Sequence, residues 1–458
     1  MFVLSLLHSR GTLRAGHFHK GARKRLASLV FVFAAASSQS GFSQSTLTLA
    51  QAQRIAVERS RQVSAQDASI SAAREMAVAA GQLPDPVLKL GIDNLPVDGP
   101  DRFSIARDFM TMRRIGVMQE FTRDEKRKRR TALGESVAER AVAEKSITVT
   151  NIQRDTALAW LDRFYLERTR ALVATQALEI AHEIEAAEGA YRAGRGSQAD
   201  IYLARASRAA LEDRLSELDR RVRNAKVMLA RWVGDAADAA LAGEPALNAV
   251  RLDPGKLDAD LAHHPQIALL GRQVAVAEAD AQLAKANKSA DWSMEVAYQE
   301  RGSAFSNMIS FGVSIPLQWD QKNRQDRELA AKFAVAEQAK AQQEDVLRAH
   351  VAEVRTMLNE WENGRERLGR YVRELIPLAQ DRTQAALAAY RSGTTGLAAV
   401  LAARRNEIDM RTQEVQLELD TARVWAQLNF LYPAGDSTAH PPAATATPIV
   451  APALEESK

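Results

Sequence analysis

The chain has 458 residues, with 46 % apolar and 26 % charged side chains, a globular balance that excludes wholesale disorder. It has no cysteine, which excludes disulfides, thiolate metal sites, thiol nucleophiles and a lipid-modified N-terminal cysteine together. The net charge of +4 comes from residues 1–43, which hold six basic side chains and no acid; without them 55 basic face 57 acidic side chains, and nothing points to nucleic acid.

Those first 43 residues read as an export signal. His19 to Arg25 is a basic region, and Leu26 to Ala36 (LASLVFVFAAA) is an apolar stretch of about 11 residues, too short to span a bilayer. Cleavage after Ala36 or after Ser43 fits the small residues that follow, and the 19 residues before Lys20 suggest a true start further downstream.

The remainder repeats once. Tyr191-Arg192-Ala193-Gly194 returns as Tyr390-Arg391-Ser392-Gly393, Glu167-Arg168 as Glu366-Arg367, and Leu229 as Leu428, all at an offset of 199 residues. The expected repeats are 44–250 and 251–433, followed by an Ala/Pro/Thr-rich disordered tail over 434–458. In each repeat a helix (47–82 or 257–288) leads into two strands. A very long helix (124–188 or 321–389), a glycine turn and a further helix (197–233 or 394–431) follow. Proline is absent between Pro100 and Pro245, so the first long helix runs unbroken, whereas Pro377 should kink the second. A helix of 65 residues is about 97 Å long, which needs a coiled-coil-like setting.

The strands are expected at about 86–97, 114–122, 291–299 and 308–318. Apolar Leu88, Leu90 and Ile92 alternate with Lys89, Gly91 and Asp93. Ile115, Val117 and Phe121 alternate with Gly116, Met118 and Glu120, with Gln119 interrupting the apolar side. Trp292, Met294, Val296 and Tyr298 alternate with Ser293, Glu295, Ala297 and Gln299, and Ile309, Phe311, Val313, Ile315 and Leu317 with Ser310, Gly312, Ser314, Pro316 and Gln318. Period two fits a small soluble sheet covered on one face or a transmembrane barrel strand. Export favours the barrel. An open edge in hydrocarbon costs several kcal/mol per unpaired backbone group, and four strands cannot close, so copies must share the barrel.

The duplicated order, the two Tyr-x-x-Gly turns and Leu83-Pro84-Asp85-Pro86 before the first strand resemble the TolC-like outer-membrane efflux factors over nearly all of 47–433. The block from Gly91-Ile92-Asp93-Asn94-Leu95-Pro96 to Asp108-Phe109-Met110-Thr111-Met112-Arg113-Arg114 resembles the heavy-metal branch, of cobalt-zinc-cadmium type. The resemblance implies a mainly α fold with a small β part. A homotrimer would form a twelve-stranded barrel in the outer membrane of a Gram-negative bacterium, continued by an α-helical barrel in the periplasm. It implies a non-enzymatic exit duct with no cofactor and no bound metal. The duct would work with a periplasmic adaptor (a membrane fusion protein) and an inner-membrane RND pump. Residues 234–256 would wrap the outside as part of a collar, and 99–113 and 300–308 would form extracellular loops. Leu88, Leu90, Ile92, Val117, Trp292, Val296, Phe311 and Val313 would meet outer-membrane lipid. The turns with Tyr191, Gly194, Arg195 and Gly196, and with Gly393, Thr394 and Gly396, would dock adaptor or pump. The resemblance also implies a latch at the periplasmic aperture, in which Asp200, nine residues after Tyr191, accepts a hydrogen bond from Tyr390. Ala399, Ala402 and Thr395 stand where some relatives carry further latch groups, and Asp200 also fits as a plain helix cap. Heavy-metal efflux is the leading reading of the cargo; drug efflux or type I protein secretion keeps the fold, and an exported coiled-coil scaffold is the alternative of another class.

Other patterns carry less. Gly194-x-Gly196-x-x-Ala199 follows a helix, not the strand that a dinucleotide site requires. Glu179-x-x-His182 and the His350/Glu353 pair read as solvated helix faces, His263-His264 before Pro265 as a cap, and Met110 and Met112 as loop residues. Lys126-Arg127-Lys128-Arg129-Arg130 begins a long helix just after a strand, and Lys322, Arg324 and Arg327 stand at the matching place. Snorkelling to lipid headgroups is the expected role of both sets.

Overall fold

The computed structural model describes residues 46–433 apart from 195 and 254. The expected export signal and the C-terminal tail lie outside the described residues, as does Arg195. The fold is mainly helical with one four-stranded antiparallel sheet.

The first expected helix is two. Thr48 starts α1 (Leu49–Arg59) with a capping box shared with Gln51, and Ser60, held extended, breaks the helix and caps α2 (Arg61–Ala80) by accepting from the Val63 amide. Strand β1 (Val87–Asp93) stops four residues short of expectation. Asn94 turns the chain with a positive φ of 56°, and Pro96 has no amide to give a ladder. Strand β2 (Met112–Phe121) starts two residues early and runs into α3 (Asp124–Arg192), which is 69 residues without a break. Helix α4 (Gln198–Val233) runs back beside it and ends at Gly234. The second repeat follows with α5 (Leu257–Leu261), α6 (Pro265–Asn287), β3 (Trp292–Glu300) and β4 (Met308–Ser314). Apolar alternation continues past Ser314 to Leu317, but ladder bonding does not, because Pro316 offers no donor and β3 begins opposite Ser314. The second long helix is divided into α7 (Gln325–Arg370) and α8 (Ile376–Arg391) by a π turn at Tyr371–Leu375. That turn lies just before Pro377, whose missing amide an α-helix could not accommodate. Helix α9 (Leu397–Asn429) closes the repeat.

The helices form a row in the same order as the strands. Near the sheet, α2 packs on α3, α3 on α6 and α6 on α7; further away, α4 packs on α3, α3 on α9 and α9 on α8. The sheet order is β1-β2-β3-β4, with β1 following α2, β2 preceding α3, β3 following α6 and β4 preceding α7. At Gly134 the backbones of α3 and α2 come so close that a Cβ would sit 2.6 Å from Ala77 Cα.

Two cores repeat one another. In the first, Trp160 and Leu161 of α3 pack with Leu229 and Val233 of α4; in the second, Leu358 and Trp361 of α7 pack with Leu428 and Leu431. Each tryptophan donates its indole N–H to a backbone carbonyl, Trp160 to Leu47 at 3.0 Å and Trp361 to Leu247 at 3.1 Å. The donors are 201 residues apart and the acceptors 200, so the duplication extends to a buried hydrogen bond.

The segment 234–253 opens with a 3₁₀ turn at Gly234–Asp238, is otherwise largely irregular, and lies against the middle of the helix row. Its carbonyls find donors on the helices: buried Arg163 gives to Ala237 (2.6 Å) and Ala239 (3.1 Å), and Trp425 gives to Ala249 (2.9 Å). The Asn429 side chain accepts from the Arg251 amide. Glu418 sits below it, paired with Arg168 at 2.6 Å, which also reaches Glu244 at 3.4 Å.

Burial pushes the Glu418 carboxyl up to about 7, Arg168 pulls the other way, and Glu414 adds repulsion. A carboxyl raised in the fold stabilises it below its unfolded range, near 4.5, and loses that contribution as pH rises through about 7. Glu418→Gln should therefore gain about 1–3 kcal/mol over the parent at pH 8 and little near pH 4.5. Thermal unfolding of the detergent-solubilised protein, followed by circular dichroism across that range, checks this; a gain equal at both ends would contradict it.

Candidate functional site

The sheet has one apolar and one polar face. The register places Leu88, Val117, Val296 and Phe311 in one cross-strand row, and Leu90, Ile115, Tyr298 and Ile309 in the next. Met294 and Val313 continue the face toward the helices, where Phe121 and Trp292 stack with ring centroids 4.4 Å apart. At the other end Ile92 lies beside Arg113, which pairs with Glu300 at 2.9 Å. All eight strand residues expected at lipid thus share one face, and all are exposed, Leu90 by 70 % and Phe311 by 73 %. Gln119, the polar interruption, gives its amide to Pro84 and Glu120 carbonyls, both at 2.8 Å. So large an apolar face on a small sheet requires a covering medium.

The polar face carries Lys89, Asp93, Arg114, Glu120 and Glu295. Lys89 donates to Glu295 at 2.7 Å, and Arg114 pairs with the other oxygen of the same carboxylate. The β1–β2 loop is built by the block that resembles the heavy-metal branch. Asp108 accepts from the Met110 and Thr111 amides at 2.8 and 2.9 Å, and the Thr111 hydroxyl donates to the Asn94 carbonyl. Here those residues shape the loop.

Where sheet meets helices, the basic run departs from expectation. Lys126 is buried and donates to Asp291 at 2.7 Å, and the same carboxylate accepts from the Arg123 amide at 3.0 Å. Arg127 and Lys128 pair with Asp124, and Arg129 with Glu125. Four of the five cations are engaged by protein acids and are not spread toward headgroups. Lys126 and the Arg123 amide, through Asp291, tie the start of α3 to the start of β3, while the other three pairs stay within α3. In the second repeat Lys288 pairs with Asp326 at 2.6 Å.

At the far end, the two reversals share a glycine with positive φ, 72° at Gly194 and 77° at Gly393. Their amides donate to the Tyr191 and Tyr390 carbonyls, both at 3.0 Å. Asp200 closes a capping box: its Oδ2 accepts from the Ser197 amide and hydroxyl, and its amide donates to the Ser197 hydroxyl. Tyr390 packs among Ala187, Leu397, Val400 and Leu401. Within one chain no hydrogen bond joins Asp200 and Tyr390 among the described residues, and the cap is what the structure gives the carboxylate. Tyr191, Gly194, Gly393, Thr394 and Gly396 are exposed at these reversals, with Gly196 beside them.

Sequence reading missed the charge network between the long helices. Arg404 of α9 pairs with Glu179 (2.7 Å) and Glu183 (3.1 Å) of α3, and Arg411 with Glu407. Glu179 therefore faces an arginine, while its neighbour His182 points to solvent. His264 caps α6 through the Gln266 amide, and its ring lies 4.3 Å from that of His350. Among the described residues no cluster of three or more His, Asp or Glu is placed to hold a metal ion, and no helix is long and apolar enough to cross a membrane.

Comparisons with known proteins agree with this geometry. The model of the outer membrane efflux protein family matches residues 257–432, the second repeat from α5 onward. The fold is that of the outer-membrane channel OprN, at TM-score 0.69 and 20 % identity over 84 % of this chain and 89 % of that one. It is equally that of the outer membrane protein VceC from Vibrio cholerae, at TM-score 0.68 and 18 % identity over 84 % and 95 %. CusC, described as forming a transmembrane channel, is similar at TM-score 0.68 and 15 % identity over 84 % and 92 %. No curated protein matches the chain by sequence.

Proposed function

We propose that this chain is the exit duct of a tripartite RND-type efflux system, a passive homotrimeric channel in the outer membrane of a Gram-negative bacterium. The observation that carries the proposal is the matching pair of open ends. The sheet ends at β1 and β4, and the helix row ends at α2 and α4 on the same side as β1 and at α7 and α8 on the side of β4. An arc with identical ends in both layers closes by joining copies head to tail. Two copies would give eight strands, whose interior side chains alone fill; three give twelve, the smallest number that leaves a passage. From Arg113 to Phe121, β2 advances about 27 Å at ~3.4 Å per residue, which is roughly 21 Å across the membrane at the tilt of about 40° usual in such barrels. An outer-membrane barrel carries an apolar band about 25 Å tall.

The trimer should appear in native mass spectrometry of the detergent-extracted protein. Val296→Arg should impair its assembly at a cost of about 2–4 kcal/mol, while Ser310→Arg on the opposite face should be tolerated. Monomer alone, or equal defects for the two substitutions, would contradict the reading.

The exposed reversals at Gly194 and Gly393 are the parts that would meet the adaptor and the inner-membrane pump. The aperture latch belongs between neighbouring chains in this reading. The Asp200 Oδ1 atom has no hydrogen bond within the chain among the described residues, which leaves it open to the phenol of a Tyr390. Asp200→Asn combined with Tyr390→Phe should raise conductance in planar bilayers. Conductance at the parent level in an intact trimer would leave Asp200 as a cap alone.

Heavy-metal cations such as cobalt, zinc or cadmium are the proposed cargo, on the strength of the Gly91–Pro96 and Asp108–Arg114 sequence block. Loss of the gene should lower tolerance to those ions. If tolerance to them is unchanged and drug or protein export fails instead, the duct stands and the cargo is different.

A further inference from the structure

On the polar face of the sheet, two cations share one carboxylate across a strand that has no side chain to obstruct them. Lys89 belongs to β1 and Glu295 to β3, so their side chains meet only by crossing β2. The β2 residue paired with Lys89 is Gly116, which is in turn paired with Ala297 of β3. A Cβ on Gly116 would lie 2.8 Å from the Ala297 Cβ, and Ala297 itself is buried. Gly116 and Ala297 thus form a flat floor over which Lys89 reaches Glu295 Oε2 at 2.7 Å. Arg114 takes Oε1 from the same strand as Gly116 and has Asp93 at 3.9 Å on its other side. The carboxylate is the innermost of the three, its side chain 18 % exposed against 39 % for Lys89 and 29 % for Arg114.

We infer that Glu295 cancels the positive charge that this level of the barrel would otherwise present to what passes through it. The inference rests on the duct reading, in which the polar face lines the bore. With Glu295 ionised, Lys89 and Arg114 are balanced by Glu295 and Asp93 in every chain. Removing that one charge leaves an unbalanced cation per chain, repeated around the ring. Charges lining a narrow passage act on ions through their field across it, and this field reaches about 30 Å at 0.01 M salt but only ~3 Å at 1 M. Glu295 therefore does more than tie three strands together: it keeps two inward-facing cations from repelling a cationic cargo. Glu120 is the further acid on this face, toward the helices, and has Ser293 opposite it.

The test is the reversal potential of the purified full-length protein in planar bilayers under a KCl gradient at low salt. Glu295→Gln keeps the size of the side chain and one of its two acceptor oxygens, removes its charge, and should lower the potassium-to-chloride permeability ratio at least about twofold. Lys89→Met removes the opposite charge and should raise the ratio. Both changes should fade in concentrated salt. If Glu295→Gln fails to assemble, Lys89→Met carries the test alone. Conducting variants with an unchanged ratio, or ratios moving in the same direction, would overturn the inference and leave the duct reading in place. An intact trimer that conducts nothing even with Asp200→Asn and Tyr390→Phe in place would overturn the duct reading itself and this inference with it.

Discussion

The unpaired backbone edges of β1 and β4 govern the rest of this structure. Each edge offers amides and carbonyls that water could satisfy but hydrocarbon cannot, at several kcal/mol for every group left bare. The exposed apolar face between Leu88 and Val313 rules out leaving the sheet in water, and the bare edges rule out leaving it alone in lipid. In the duct reading, the arc is stable once its two ends meet other copies of the chain. The helix row has inherited the same constraint, because each strand is covalently continuous with a helix at the same place in the order. In that reading, closing the sheet would also close the helices, and a membrane requirement would dictate the shape of the part that lies outside the membrane.

The described residues have no single deep centre, and their buried side chains fall into separate local cores. Burial is greatest near the middle of the helix row, where the cores around Trp160 and Trp361 lie beneath an irregular segment. Irregular backbone is costly to bury unless its carbonyls find donors. Here the donors are long side chains of the neighbouring helices: Arg163, Trp361 and Trp425 reach out to residues 237–249, and Trp160 does the same for Leu47. The tryptophans unite apolar area with one strong donor, and Arg163 spans two carbonyls at once, which suits them to join a helix to a segment without a ladder of its own. At the sheet end the same task falls to Asp291, which binds Lys126 and the Arg123 amide and so fixes where α3 leaves the barrel.

Much of this architecture could be read from the chain before any coordinates. The two-residue period marked all four strands and their faces, since alternation is imposed by the pleat itself. Low proline and glycine marked the long helices, and the Tyr-x-x-Gly pairs marked both reversals. Boundaries were less legible where one residue overrides a pattern: Ser60 divides a helix that composition would continue, and Asn94 and Pro316 end strands that alternation would extend. The Lys126–Arg130 run misled because charge density says nothing about partners. Asp291, which holds Lys126, lies 165 residues away, and Glu295 lies 206 from Lys89. Arg404 and Glu183 are separated by 221 residues. Pairings at such distances follow from the register of packed elements and leave no local trace.

The two repeats differ most where the duct would open. The first reversal is secured from the side of the following helix, by the box between Ser197 and Asp200 at the start of α4. The second has Gly396 at the start of α9, with no side chain to cap it, and is secured from the preceding helix, where Ser392 and Thr394 donate their hydroxyls to the Ala389 carbonyl. That preceding helix, α8, is itself separated from α7 by the π turn before Pro377. A displacement of α8 would therefore carry the second reversal with it, together with the start of α9, whose Leu397, Val400 and Leu401 pack on Tyr390. The first reversal instead belongs to α4, and α3 runs into it unbroken from the sheet. Duplication supplied two similar helix pairs, and a proline and a different way of securing the reversal set the second apart from the first.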